Sequence, residues 1–124
     1  MKILCVDDTK AVHAFIRTLF AGLAHELVPV YDGQQALDEL AKSDYRGFNL
    51  VLLDWEMPVK NGLETMVEIR KKTNSLPVIM VTSKNDMNDI TKMLEAGASE
   101  YIMKPFTRDI LFDKIAQITG SKVA

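Results

Sequence analysis

The sequence predicts an α/β fold, a (βα)5 chain whose five parallel strands form one doubly wound sheet with helices on both faces. Two observations predict it. Short apolar runs alternate five times with stretches of helical periodicity. The strongest runs are apolar without alternation, which is typical of strands that are covered on both faces. Alternating strands and helices connect by right-handed crossovers, so the strands are expected to be parallel.

Each strand is predicted where a short apolar run is bounded by polar or turn-forming residues. The five runs, in order, are Ile3–Val6, Leu27–Val30, Leu50–Leu53, Val78–Val81 and Tyr101–Met103. Pro29 lies inside the second run. Proline has no N–H to donate to a sheet, so this strand is predicted to lie at an edge. Cys5 is the only cysteine, which excludes an internal disulfide, and it is predicted to be a small buried apolar residue.

Helices are predicted where apolar residues recur every three or four positions. The first helix has the most regular stripe, formed by Val12, Phe15, Ile16, Leu19, Phe20 and Leu23. Asp8 or Thr9 is available as its N-cap, and Thr107 as the N-cap of the last helix. Weaker stripes predict the other four helices, at Ala36/Leu37/Leu40, Leu63/Met66/Val67, Met87/Ile90/Met93/Leu94 and Ile110/Leu111/Ile115/Ile118. Gly97 is predicted to end the fourth helix, while His13 and His25 are predicted on helix and loop surfaces.

Length and charge limit the functions that the chain can have. Its 124 residues suit a single domain, predicted to span residues 1–124. The 15 basic and 17 acidic residues give a net charge of −2, and the basic ones are scattered, so direct binding to nucleic acid or to an anionic membrane is not expected. No apolar stretch approaches the roughly 20 residues that span a bilayer. The first residues run straight into a strand, which leaves no room for a signal peptide and predicts a cytoplasmic location.

Polar residues follow four of the five predicted strands at the point where each strand ends. They are Asp7 and Asp8, Asp54, Thr82 and Ser83, and Lys104. In an open α/β sheet, ligands bind in the crevice at the carboxyl ends of the strands. The sequence therefore predicts a functional site at this edge of the sheet.

Three carboxylates, those of Asp7, Asp8 and Asp54, converge there if strands one and three are neighbours. Two carboxylates about 4 Å apart repel by roughly 4 kcal/mol at an effective dielectric constant of ~20, so the cluster calls for a cation. Ligands that are all oxygen favour Mg²⁺, with Mn²⁺ as the alternative. Two acids before a helix are also good N-capping residues, so the Asp7-Asp8 pair alone leaves both interpretations open. The matching positions of Asp54 and Lys104 favour the metal.

The other strand-end residues complement these acids. The ammonium of Lys104 is able to offset negative charge on a transferred phosphoryl group, and a cis bond to Pro105 is expected. The hydroxyl of Thr82 is able to donate to a phosphoryl oxygen. Taken alone, Lys104-Pro105 would simply be a solvated turn. A strand-end threonine chosen for its β propensity is almost as good an interpretation of Thr82. Trp55 directly follows Asp54 and is predicted to lie half exposed beside the site.

This ordered set of residues resembles the receiver domains of two-component response regulators. The resemblance covers essentially the whole chain, and the residues that carry it are Val6-Asp7-Asp8, Leu53-Asp54-Trp55-Glu56-Met57-Pro58, Asn61-Gly62, Val81-Thr82-Ser83, Gly97-Ala98 and Lys104-Pro105-Phe106. The segment Ala96–Thr107, with Trp55, is most similar to the single-domain chemotaxis regulators of the CheY type. The resemblance implies a flavodoxin-like fold with strand order 2-1-3-4-5.

The resemblance also implies a role for each site residue. Asp54 is the phosphoacceptor and a metal ligand, Asp8 is a direct Mg²⁺ ligand, Asp7 acts through a metal-bound water, and Glu56 contributes its backbone carbonyl. The residues that bind phosphate or switch are Thr82, Tyr101 and Lys104. The implied partners are a sensor histidine kinase, which donates the phosphoryl group, and a downstream target at the face made by the fourth helix, fifth strand and fifth helix. Such a protein is a switch, not an enzyme, although it assists its own phosphotransfer and slow autodephosphorylation.

Two further residues are predicted to tune the lifetime of the phosphoryl group. Glu56 and Lys84 flank the path that a water must take to attack it in line. Their opposite charges favour a loose ion pair across the mouth of the site.

Three other functions use related features. A flavodoxin-like cofactor binder would hold its phosphate on the first strand-to-helix loop, where Asp7 and Asp8 would repel it. A phosphatase of the haloacid dehalogenase type has its nucleophilic aspartate after the first strand and also has a substrate cap. In this sequence the candidate nucleophile, Asp54, follows the third strand and no segment is available for a cap. An interaction module that works without phosphorylation would arise from the loss of one acid, and all three acids are present.

Overall fold

The computed structural model describes residues 1–124 as one five-stranded parallel sheet with five helices. The strands are β1 Lys2–Val6, β2 Glu26–Val30, β3 Leu50–Asp54, β4 Val78–Thr82 and β5 Glu100–Met103. The helices are α1 Lys10–Leu19, α2 Gly33–Ala41, α3 Gly62–Lys72, α4 Met87–Glu95 and α5 Arg108–Thr119. The strand order is β2-β1-β3-β4-β5, so the predicted fold and order are confirmed. None of the helices has the length and apolarity needed to cross a bilayer.

The sheet separates two hydrophobic cores, and successive residues of a strand point into opposite ones. Leu4 and Leu53 belong to one core, whereas Ile3 and Leu52 belong to the other. All four side chains are at most 2% exposed. Coverage of both faces explains why the sequence of these strands is apolar without alternation.

Strand β2 lies at an edge of the sheet and pairs only with β1, as Pro29 predicted. Pro29 stands opposite Cys5 in the register of this pair. The Cys5 side chain is buried, also as predicted, and burial raises the pKa of its thiol to about 12. A thiol held in its protonated form is a poor nucleophile.

Two of the three predicted helix caps are confirmed. The Thr107 hydroxyl accepts a hydrogen bond from Ile110 N at the start of α5. Gly97 follows α4 with φ 107°, and the N–H groups of Gly97 and Ala98 donate to the carbonyls of Leu94 and Met93, which is a Schellman motif. Helix α1 differs, because Thr9 occupies its N-cap position without making a side-chain cap bond.

The buried face of α1 differs from the predicted one. Phe15 is 42% exposed, whereas His13 is only 5% exposed, so the expected surface position of His13 was wrong. Phe15 packs edge to face against Phe106, with 5.6 Å between ring centroids. Leu23 lies beyond the end of the helix. His25 is only partly exposed, because its ring bonds the Met1 ammonium and, 2.7 Å away, the carbonyl of Val123.

Candidate functional site

Three carboxylates meet at the carboxyl end of the sheet. Asp7 directly follows β1 and Asp54 ends β3, and these strands are neighbours in which Val6 stands opposite Leu53. Asp7, Asp8 and Asp54 each offer a carboxylate oxygen, and these oxygens lie within 4.8 Å of one another. Asp7 and Asp54 are 4% and 6% exposed, whereas Asp8 is open to solvent. The structure therefore brings together the three acids singled out in the sequence.

Lys104 bridges two of these acids from the end of β5. Its Nζ lies 3.0 Å from Asp7 Oδ2 and 3.3 Å from Asp54 Oδ1. Burial disfavours its charged form, but hydrogen bonds to Asp7 and the charges of both acids outweigh this, so the pKa of Lys104 is raised. The ammonium therefore stays charged. The Lys104–Pro105 peptide bond is cis, as predicted.

The carboxyl of Asp54 gives up its proton less readily than a free aspartate does. Burial is the largest effect and raises the pKa of Asp54 to about 6, from 3.8. Lys104 lowers this pKa, while the charges of Asp7 and Asp8 raise it further. Three ionised carboxylates and one ammonium leave two negative charges at the site, which a divalent cation would neutralise.

Thr9 fixes the carboxylate of Asp7, a role that the sequence analysis missed. Its backbone N–H and its hydroxyl both donate to Asp7 Oδ1, each at 2.9 Å. Since Lys104 holds Oδ2, both oxygens of Asp7 are engaged. The local signal was present, because Asp followed two residues later by a residue with a free N–H is the pattern of an Asx turn. The Thr9 hydroxyl is thereby used for Asp7 instead of capping α1.

Strand β4 brings Thr82 to the same edge of the sheet. Val81 stands opposite Asp54 in the β3–β4 register, and Thr82 follows it. The Thr82 side chain is 1% exposed, and its Oγ1 accepts a hydrogen bond from Lys84 N at 3.0 Å. The backbone N–H of Lys104 donates to Thr82 O. Tyr101, on the neighbouring β5, is partly buried and packs against one of the two cores.

Glu56 and Lys84 meet across the mouth of the site. Lys84 Nζ lies 3.4 Å from Glu56 Oε1, and the Glu56 side chain is 65% exposed. The same ammonium lies 5.2 Å from the centre of the Trp55 ring. Trp55 is only 8% exposed and belongs to a hydrophobic core, so its predicted half exposure was wrong.

The start of α3 packs against the backbone at the end of β3. Gly62 N donates to Trp55 O at 2.7 Å, and a Cβ at Gly62 would collide with the backbone carbonyl of Asp54. Glycine is therefore required for this close approach. Asn61 and Glu64 form a capping box that fixes the same helix end. An open cleft of about 540 Å³ lies at the acidic cluster and is lined by Asp8, Asp54, Glu56, Met57, Pro58, Ser83 and Lys104.

The profile of the response regulator receiver domain matches residues 3–116, which is most of the chain. The chain belongs to the response regulator receiver family. A curated relative, a CheY homolog from Campylobacter jejuni, is 34% identical, with 98% of this chain and 94% of the relative covered. CheY1 from Helicobacter pylori is 31% identical, with 98% of each chain covered. Both of these relatives are named as chemotaxis proteins.

Solved receiver structures agree with this assignment. The receiver domain of the sensor histidine kinase PA1611 from Pseudomonas aeruginosa is 28% identical, with a TM-score of 0.83 and coverage of 97% of this chain and 98% of that one. That structure contains a magnesium ion coordinated in its active site cleft. As a receiver of the CheY-like type, the present chain belongs to two-component signalling.

Proposed function

We propose that this receiver accepts one phosphoryl group on Asp54 from a histidine kinase, in a reaction that depends on a divalent cation. The observation that carries the proposal is the cluster of three carboxylates with Lys104, at the carboxyl edge of a receiver sheet. Residues 1–124 would act as one receiver domain, in the cytoplasm, as the sequence predicts. The protein is then a phosphorylated switch and not an enzyme with a separate substrate.

The donor set fits Mg²⁺, or Mn²⁺ as the alternative. All the side-chain donors are carboxylates, which are the ligands that Mg²⁺ prefers, and the charges of Asp7 and Asp8 add to burial in raising the pKa of Asp54. Asp8 and Asp54 would be direct ligands, Asp7 would act through a water, and Glu56 would contribute its backbone carbonyl. When bound, the cation would neutralise charge on the phosphoryl oxygens.

The chain's own residues would perform the transfer. A carboxylate oxygen of Asp54 attacks phosphorus, the bond from phosphorus to the donor nitrogen breaks, and that nitrogen keeps the electron pair. An acyl phosphate is formed. Lys104, already at 3.3 Å from Asp54, offsets the charge that develops on the phosphoryl group. Positioning and charge neutralisation account for most of the catalysis.

Thr82 and Tyr101 would couple phosphorylation of Asp54 to the surface that binds the target protein. The Thr82 hydroxyl moves to donate to the phosphoryl group, Tyr101 follows, and the α4–β5–α5 face changes its affinity for a target protein. Such switching is a population shift between two states. Exposed apolar side chains support docking at this face, since Met87 and Leu94 of α4 are 72% and 47% exposed.

Incubation with acetyl phosphate and Mg²⁺ tests the proposal. The intact mass is expected to increase by one phosphoryl group, and the increase should disappear with EDTA. Asp54→Asn should gain no mass, and its matched control is Asp44→Asn, the same substitution in an exposed loop outside the cluster. This control should be phosphorylated as fully as the wild type. A wild-type protein that binds Mg²⁺ but gains no mass would favour the interaction module that works without phosphorylation.

Removing the exposed acid should separate stability from metal binding. Asp8→Ala is expected to raise the stability of the metal-free protein by ~1 kcal/mol, because it relieves repulsion in a partly solvated cluster. The same change should abolish the stabilisation by Mg²⁺. Thermal unfolding with EDTA and with Mg²⁺ measures both effects. Since Thr9 and not Asp8 occupies the α1 N-cap, a loss of stability in EDTA would contradict the electrostatic account.

Thr82→Ala should uncouple phosphorylation from output. The variant is expected to accept the phosphoryl group but to lose most of the response at the α4–β5–α5 face, because the hydroxyl links the group to the switch. Nuclear magnetic resonance shifts near Tyr101, with and without a beryllofluoride mimic, report the response. Thr82→Ser retains the hydroxyl and serves as the control. A wild-type response in Thr82→Ala would remove Thr82 from the mechanism.

A further inference from the structure

His13 is the one buried polar side chain of α1, and it contacts the backbone of the acidic cluster. Its Nε2 lies 2.9 Å from the carbonyl oxygen of Asp7 and 3.0 Å from that of Val30. Carbonyl oxygens only accept hydrogen bonds, so Nε2 carries the hydrogen and donates to both. The ring therefore joins the ends of β1 and β2 from the side of α1.

These bonds orient the peptide group between the two consecutive acids. The carbonyl held by His13 belongs to the Asp7–Asp8 peptide, so its direction fixes where the backbone of Asp8 starts. The N–H of Asp7 also donates to Val30 O, at 3.2 Å. Asp7 is thus tied to the edge strand directly through its N–H and, by way of the His13 ring, through its carbonyl. Its side chain is held separately by Thr9 and Lys104.

The ring itself is held in a defined orientation. The Tyr31 ring packs against it edge-on, with centroids 4.8 Å apart and an angle of 66° between the planes. Because the His13 N–H is already held in place, it loses little conformational freedom when the cation binds. Groups that orient metal ligands in this way contribute to metal affinity without touching the metal. An apolar side chain at this position would fill the space but leave the Asp7 carbonyl without this donor.

We propose that His13 is a positioning residue for the divalent-cation site, acting through the Asp7–Asp8 peptide. The inference rests on the proposed function, because it assumes that the acidic cluster binds a cation. Loss of the Nε2 donor lets the peptide rotate, which moves the exposed Asp8 carboxylate away from its place beside Asp54. The cation is then bound more weakly, and phosphorylation at limiting Mg²⁺ becomes slower.

Calorimetric titration of the metal-free protein with Mg²⁺ tests this role. Two apolar variants, His13→Leu and His13→Met, remove the donor and should bind Mg²⁺ about tenfold more weakly than the wild type. His13→Gln supplies an N–H at a similar reach and should restore most of the affinity. Ile16→Ala is the matched control, since Ile16 is buried on the same face of α1. It should lose stability in urea but retain the wild-type affinity.

The outcomes separate this inference from the function on which it rests. Wild-type affinity in the apolar variants, or an equal loss in Ile16→Ala, would overturn the positioning role and leave the cation site intact. A wild-type protein that binds no Mg²⁺ would contradict both. Weak binding in His13→Leu and His13→Met that His13→Gln restores would support the inference.

Discussion

Replacing Asp54 with asparagine is expected to stabilise the metal-free protein by about 2–3 kcal/mol at neutral pH and to abolish phosphorylation. Burial is the main cause, because it raises the pKa of this carboxyl from 3.8 to about 6 in the folded protein. That rise corresponds to about 3 kcal/mol of unfavourable free energy once the group is ionised. Asparagine has no charge, so it avoids this cost and cannot form an acyl phosphate.

The raised pKa of Asp54 makes the free energy of unfolding depend on pH. The folded protein holds the Asp54 proton more tightly than the unfolded chain does, so protonation favours folding. The stabilisation of the folded protein by the proton on Asp54 is fully present below the unfolded pKa near 4. It is lost as the pH rises through about 6, the pKa in the folded protein. Urea unfolding in EDTA should show wild-type stability falling relative to Asp54→Asn across this range. A constant difference between the two proteins from pH 4 to pH 7 would contradict the account.

Saturating Mg²⁺ should reduce or reverse the advantage of Asp54→Asn, because the wild type gains free energy by binding the ion. Asp44→Asn is again the control, since it lies in an exposed loop away from the three acids. Its free energy of unfolding should change with Mg²⁺ and with pH in the same way as that of the wild type. An asparagine variant at position 54 that is stabilised by Mg²⁺ as strongly as the wild type would argue against Asp54 as a ligand.

The second large effect concerns the lifetime of the acyl phosphate. The double variant Glu56→Ala/Lys84→Ala is expected to lose its phosphoryl group about tenfold faster than the wild type, which corresponds to a barrier lower by ~1.4 kcal/mol. The two side chains meet at 3.4 Å at the mouth of the site, and we propose that this pair obstructs the in-line approach of water. An exposed ion pair of this kind contributes only ~0.2–1 kcal/mol, so it opens readily and slows hydrolysis without preventing it.

Dephosphorylation rates of both single variants and the double variant measure this effect. Coupling between the single changes is expected, because each residue holds the other. Glu68 and Lys71 form a similar exposed pair on α3, at 3.1 Å, and truncating them should leave the rate unchanged. Equal or slower loss in the double variant would contradict the obstruction, and slower loss in Glu56→Ala alone would show that this carboxylate orients the attacking water.

The sequence was sufficient for the features that follow from parallel topology. Once strands one and three are neighbours, their carboxyl ends align, and Asp7 and Asp54 must lie close together. The edge position of β2 followed from one missing N–H, that of Pro29. The meeting of Glu56 and Lys84 followed from matching strand ends and opposite charge.

Residues whose environment depends on tertiary contacts were predicted less well. The apolar stripe of α1 does not include His13, so periodicity alone predicts this residue on the surface. Its burial depends on two carbonyl groups at strand ends, which periodicity does not reveal. Trp55 was expected to be half exposed, but Lys84 from the β4–α4 loop covers its ring. Phe15 fits the stripe, yet it is 42% exposed and only the edge of its ring packs on the buried Phe106.

Mapping the phosphorylated residue is the most direct test of the central claim, that the carboxylate of Asp54 is the phosphoacceptor. Borohydride reduces an acyl phosphate on aspartate to homoserine, and peptide mass spectrometry then locates the reduced residue. After treatment with acetyl phosphate and Mg²⁺, homoserine is predicted at position 54 and should be missing when EDTA replaces the metal. Homoserine at position 7 or 8, or an unmodified Asp54 in protein that has gained a phosphoryl group, would contradict the account.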